Sequence, residues 1–280
     1  MSPRFSRWHV IVLLAVAALA VAPLGCSARP SARLAGLSLQ SIGLSSATFR
    51  FDVEVTNPYP VALPLVNLDY NLASQAASFL SGKAELQGSV PAMGSKMVSL
   101  PAKISYSELL AALKGVKPGQ VVPYTAALGL SVDVPAVGAL RLPMEKSGEL
   151  PVPAVPEVKV VSITWSNVSL DKATGVVRLA VINRNEFPLD LSKIDYALSL
   201  GGTEVARSGL AAPVKFAASG GSGAVEIPIS FSPKNMGLAA LKMLTGSSGG
   251  YGLSGAMSVN TPFGPMTLPL EAKGTAMFKR

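Results

Sequence analysis

Between Phe49 and Thr56 the chain alternates strictly: Phe49, Phe51, Val53 and Val55 are apolar, while Arg50, Asp52, Glu54 and Thr56 are polar. A period of two turns one set toward a core and the other toward water, which predicts a half-buried strand. The inward set recurs 126 residues later, where Phe51, Val53 and Val55 become Val177, Leu179 and Val181. At the same offset Leu37 and Leu39 become Ile163 and Trp165. The outward positions are free to differ, as duplication of a packed fold would leave them.

The first strand stops abruptly. "VTNPYPVALPLVNLDY" (Val55–Tyr70) breaks at Asn57-Pro58, restarts near Leu63 and closes on Asp69-Tyr70; "VINRNEFPLDLSKIDY" (Val181–Tyr196) repeats this with Asn183, Asn185, Pro188-Leu189 and Asp195-Tyr196. Proline lacks the N–H of a central ladder, and an Asn side chain bonds backbone two residues on. The pattern predicts a bend by which the chain leaves one sheet and restarts in another. Tyr70 and Tyr196 are expected to pack their rings near the corner, each hydroxyl reaching a polar partner.

Further matches follow, at an offset of 126 to 128: "LPAKI" (100–104) with "IPISF" (227–231), "LAALK" (110–114) with 238–242, "SVDVP" (131–135) with "SVNTP" (258–262), and "LPMEK" (142–146) with "LPLEA" (268–272). A short helix is predicted in each copy. The first has Ser105 and Glu108 in a capping-box pattern and Leu109, Leu110 and Leu113 as its apolar face. The second has Ser232 to cap, Pro233 at its first position and Gly246 past its end. "GGSGAVEI" (220–227) runs into a strand pattern and reads as a hairpin loop rather than a phosphate cradle. Short alternating strands with Gly, Pro and Asn punctuation predict an all-β fold, an antiparallel sandwich with one added helix in each copy. The division is residues 33–150 for module 1, a Pro-rich linker at 151–156, and 157–280 for module 2. The prolines of the linker favour an extended, semi-rigid connector, and each module is long enough to fold alone.

Ahead of these lie Arg4 and Arg7, an apolar run from Val10 to Leu24, and Gly25-Cys26, the chain's single cysteine. Fifteen apolar residues are short for a transmembrane helix, which needs about 20. The segment resembles a bacterial lipoprotein signal peptide, residues 1–25, followed by a tether at 26–32. That resemblance implies acylation of Cys26 and a partner in the membrane. Ser27, rather than Asp, follows the cysteine, which by the same resemblance implies an outer-membrane lipoprotein of the cell envelope facing the periplasm.

Charge changes the picture little. The formal net charge of +8 falls to +6 without Arg4 and Arg7. Lys and Arg are scattered and aromatic residues make up only 6%, so no stacking platform for nucleic acid is present and a solvated basic surface is the better reading. The one histidine, His9, lies in the leader. Nucleophile activation by histidine and His/Cys metal ligation are thereby excluded from the mature chain, and no cofactor is implied. Asp69 and Asp195 are the visible carboxylate pair. Two copies of one position in separate modules do not readily flank one bond, so both read as exposed or turn-bonded groups, and the chain does not read as an enzyme.

"TNPYPVALPLVNLDYNL" and "INRNEFPLDLSKIDYALSLGG" resemble the hallmark segment of the late embryogenesis abundant type 2 family, whose module is also called the water stress and hypersensitive response domain. That segment reads Asn-Pro-Asn, then Pro-Leu, then a spaced Leu and Tyr. The first copy has Tyr59 for the second Asn and Ala62-Leu63 for Pro-Leu; the second has Arg184 for the Pro. The resemblance implies a fibronectin-like or immunoglobulin-like β-sandwich in each copy and a non-enzymatic role in desiccation and stress. The partners left open are client proteins and an apolar ligand, the latter making the chain a carrier. An envelope scaffold is a third alternative.

Overall fold

The alternating run is strand β2 (Ser46–Thr56), and all four of its inward side chains are fully buried. The computed structural model describes residues 29–235, 244 and 248–279. In module 1, β2 lies between β1 (Ser31–Ile42) and β6 (Ser95–Ser105). Facing them is a second sheet in the order β4 (Ala77–Glu85), β3 (Leu63–Ser74), β7 (Val121–Val134), β8 (Gly138–Pro151), with the short β5 (Ser89–Val90) on the start of β3. Each ladder is antiparallel. The chain leaves the first sheet at Thr56 and enters the second at Leu63, so the Asn-Pro break is the crossing between sheets.

Between the sheets, Phe49 and Phe51 stack at 6.3 Å, and Tyr124 meets Phe49 edge-on at 5.3 Å. Fully burying one such ring contributes about 1.5–3 kcal/mol relative to exposure. Helix α1 (Tyr106–Ala112) closes one end with Leu109 inward and Leu113, its C-cap, also buried. The expected capping box does not form. Ser105 is the N-cap but its hydroxyl pairs with that of Ser107 rather than with a backbone N–H.

Module 2 repeats the order with β9 (Glu157–Val168), β10 (Ala173–Ile182), β11 (Leu189–Leu200), β12 (Thr203–Phe216), β13 (Ser222–Phe231), β14 (Ser248–Thr261) and β15 (Gly264–Lys279). The chain is therefore two tandem antiparallel β-sandwiches. Here the two sheets merge. Met277–Lys279 of β15 pair in parallel with Ser162–Thr164 of β9, giving one seven-stranded sheet in the order β12-β11-β14-β15-β9-β10-β13. At the matching offset module 1 has Pro151–Pro153, two of whose three residues lack an N–H. Val152 instead exchanges backbone bonds with Gln120 (2.8 Å) and Gly119 (2.6 Å).

Gly220–Gly223 is not a hairpin loop. Residues 217–221 join β12 to β13, which pair with β11 and β10 respectively, so the connection arches between the halves of the sandwich and the later glycine already lies in β13. A 3-10 turn at Pro233–Asn235 opens the region of the second expected helix, and most of the remainder lies outside the described residues.

Candidate functional site

The break after β2 is organised by one side chain. The Asn57 amide is buried and donates to the carbonyls of Val61 (2.8 Å), Val90 (3.3 Å) and Pro91 (3.0 Å). Its oxygen accepts from the N–H of Tyr59 at 2.9 Å, and its own backbone N–H donates to Gly94 at 2.8 Å. Asn183 repeats the arrangement. It donates to Phe187 (2.8 Å) and Ala217 (3.0 Å), accepts from the Asn185 N–H (3.0 Å), and its backbone N–H reaches Gly221 (2.9 Å). In both copies the amide spans four residues forward and 34 residues forward. Two donors and an acceptor are needed at one buried point, which an amide supplies and a carboxylate does not.

Around this centre Leu63 and Leu189 are fully buried at the start of the next strand, while Pro58 is half-buried and Pro188 exposed. The Tyr196 hydroxyl donates to the Pro228 carbonyl at 3.0 Å, and burial raises its pKa. Tyr70 differs: its ring lies 5.4 Å from Phe51 and its hydroxyl sits over Gly82, where a Cβ would come within 2.4 Å of it. No hydrogen bond from that hydroxyl is present among the described residues, contrary to the expectation for this pair.

The two aspartates each answer a cation in their own module. Asp69 takes a two-point bond from Arg141, whose Nε lies 3.0 Å from one carboxylate oxygen. The guanidinium crosses β7 directly over Gly129, where a Cβ would come within 2.2 Å of it. The Arg141 hydrogen bond holds the Asp69 carboxyl below its ordinary range. Asp195 instead pairs with Lys193 at 2.9 Å. Burial raises the Tyr124 phenol to about 12 and pushes Tyr106 higher still, and the Tyr106 hydroxyl is bound to the Pro151 carbonyl at 2.9 Å. Tyr106 and Tyr196 thus donate to backbone carbonyls, and the two aspartates sit in ion pairs. Cys26 lies outside the described residues.

The second motif reaches out of its own module. Asn185 is buried, accepts from the Ala154 N–H (2.7 Å) and donates to the Ala154 carbonyl (3.1 Å), gripping the linker by both backbone groups. Glu186 next to it crosses to module 1: its N–H donates to the Gly119 carbonyl (2.7 Å), and its carboxylate accepts from the Val121 N–H (2.9 Å). Gly119 has φ +98, and a Cβ there would come 2.5 Å from the Arg184 carbonyl. Ile42 and Leu44 of the β1–β2 turn and Val121 join the module 2 core from across the joint. Sequence reasoning found Asn185 but missed Gly119, Glu186 and Arg141. The left-handed glycine carried no local signal of what it would approach, and a cross-strand ion pair depends on register.

Beside the joint a groove of about 570 Å³ opens between Ala77, Leu113, Val116, Val122, Pro123 and Glu186. It is an open surface feature. The buried inward side chains form two hydrophobic cores, one centred in each module.

A family profile described as late embryogenesis abundant protein matches residues 52–148 and again residues 178–274. A late embryogenesis abundant protein of Gossypium hirsutum is 27% identical over 130 residues, covering 46% of this chain and 86% of the cotton protein. A desiccation protectant protein of Glycine max matches with the same identity and coverage. The solution structure of a late embryogenesis abundant protein of Arabidopsis thaliana superposes with a TM-score of 0.39 at 25% identity, over 48% of this chain and 76% of that one.

Proposed function

The chain belongs to the late embryogenesis abundant type 2 family, and from that premise we propose that it is a non-catalytic stress-protection protein of the cell envelope, held at a membrane by an acylated Cys26. The observation that carries this reading is the duplicated Asn-centred loop. In both copies its polar atoms are consumed by internal backbone bonds, so the family's hallmark residues serve the fold and leave the work to the outer surfaces. Relatives named for desiccation support protection during drying. The apolar run from Val10 to Leu24 ahead of Gly25-Cys26, with its resemblance to a lipoprotein signal, supports the anchor, and more than one acyl chain on Cys26 would make the attachment stable.

The test is a drying assay. A labile enzyme is dried and rehydrated with the Cys26→Ser mature chain or with an inert protein at equal mass, and the chain is expected to preserve more activity. Native mass spectrometry of the same preparation runs beside it. Stoichiometric bound lipid without protection would replace this reading with that of an apolar-ligand carrier. Mass spectrometry of the mature N-terminus tests the anchor separately, and an unmodified Cys26 would remove it.

A further inference from the structure

We propose that the end of module 1 formed by the Asn57 loop and its neighbours is a membrane-docking face, whose apolar tips Val61, Met93 and Val137 enter the interface of the bilayer. This rests on the reading of Cys26 as the anchor. Register puts the three tips together. Thr56 ends β2 opposite Ser31 and Ser95, Leu63 begins β3 opposite Val90, and Leu65 lies opposite Val132 just before the β7–β8 turn. Met93 is tied to the first loop by its N–H bond to the Tyr59 carbonyl at 2.8 Å.

All three tips are open: Val61 is 48%, Met93 71% and Val137 74% exposed. No charged residue occurs in 57–66, 86–95 or 134–140, so the loop tips carry no ion into an apolar phase; the ammonium of Lys96, just behind them, is bonded back to the Ser89 carbonyl at 3.2 Å. Met93 holds a left-handed φ of +51, as its counterpart Ser219 does at +55, so the same tight turn carries the tip in both modules.

Module 2 supplies the internal comparison. The counterparts of Val61 and Val137 are Phe187 and Phe263, which meet edge-on at 5.5 Å. Phe187 is buried, and Phe263 shares a small groove with Leu37, Leu39 and Tyr124 of module 1. The counterpart of Met93 is Ser219, which stays exposed and is polar. Where this end of the fold is covered its tips are apolar, and where a tip stays in water it is polar. Among the described residues, module 1 alone shows apolar tips with no cover.

The chain identifies the cover. Ser31 starts β1 at this same end, and Cys26 precedes it by five residues, which span at most about 18 Å when fully extended. An acyl group on Cys26 therefore keeps the bilayer within reach of these loops. The opposite end of module 1 is occupied by the linker and module 2.

The experiment couples the free thiol of the recombinant mature chain, through Cys26, to a maleimide lipid in phosphatidylethanolamine–phosphatidylglycerol vesicles. This tethers the protein whether or not a cell acylates it. Hydrogen exchange is compared between tethered and free protein. Exchange is expected to slow several-fold in 57–62, 91–94 and 134–138 and to stay unchanged in 169–172 at the far end of module 2. The triple substitution Val61→Ser, Met93→Ser, Val137→Ser should abolish the slowing without altering exchange in β2. Unchanged loops on tethered protein would overturn the docking face while leaving the anchor intact. Slowing that appears in free protein as its concentration rises would overturn it in favour of a second copy. Mass spectrometry of cell-made protein decides the anchor independently.

Discussion

Module 1 keeps its two sheets apart and leaves its Asn57 end uncovered; module 2 joins its sheets through β15 and β9 and presses the same end against its neighbour. The inward residues hardly differ in kind. What differs is what each copy meets at its boundary. Pro151 and Pro153 divert module 1 into the linker at the point where Met277–Lys279 complete the module 2 sheet. Tyr59 occupies the place of Asn185 and cannot grip a preceding segment by both backbone groups as the amide grips the linker at Ala154. A duplicated core thus tolerates divergence where the copies touch different things: the backbone bonds of Tyr59 and Asn185 within the repeat are kept, to Met93 and Ser219, while the side chains answer what lies outside it.

The sharpest way to break this comparison is to remove the shared centre. Asn183→Ala and Asn57→Ala should each cost about 1–3 kcal/mol by leaving buried carbonyls unpaired, and the Asp variants more, since a carboxylate would face acceptors. Trp165, the only tryptophan after Trp8, sits in the module 2 core, so in the chain from Cys26 onward its fluorescence during urea unfolding reports that module. Asn183→Ala should shift the Trp165 transition strongly and Asn57→Ala weakly. Equal shifts would mean that the two modules unfold as one unit.

The joint is the next target. Gly119→Ala combines a left-handed φ with a backbone clash and should cost about 1–2 kcal/mol. Its effect should be a loss of coupling: the Trp165 transition moves toward that of an isolated 154–280 fragment. If calorimetry of the variant matches the parent, the joint does not hold the modules.

A third contrast lies at the β3–β4 turn. Gln75 and Ala76 hold φ of +47 and +68, whereas module 2 places Gly201 and Gly202 at the corresponding turn. Ala76→Gly should therefore stabilise module 1 by up to about 1 kcal/mol, set against the greater entropy glycine loses on folding. Thermal melting followed by far-UV circular dichroism measures it, and a lower melting temperature would contradict the strain.

The smallest effect is electrostatic. The Asp69 pKa is lowered by Arg141, so the pair's contribution is present above the ordinary carboxyl value of 3.8 and is lost as pH falls through the depressed folded value. The Arg141 side chain is 54% exposed and that of Asp69 35%, so solvent screens the pair and its contribution is small. Asp69→Asn should flatten the loss of stability below pH 4 slightly, read from urea midpoints at a series of pH values. A steeper acid loss in the variant would reverse the assignment.

The duplication, the strands and the sheet-crossing bend were legible in the chain alone. Phe49 to Val55 and Val177 to Val181 alternate because each residue's side of a strand is set by its immediate neighbours, and a core admits only apolar residues on one side. Asn57 and Asn183 were legible for the near half of their bonding, to a backbone group two residues on. Their far partners, 34 residues away, were not. Nor were the merging of β15 with β9, the crossing of Arg141 over Gly129, or the seat of Gly119 against Arg184. The Ser105 cap failed for a local reason. Its hydroxyl took a neighbouring serine that the capping pattern does not consider. Local geometry is determined by a few consecutive residues, whereas register, closure and the joint depend on which distant groups the folded backbone brings within about 3 Å, and that choice belongs to the tertiary structure.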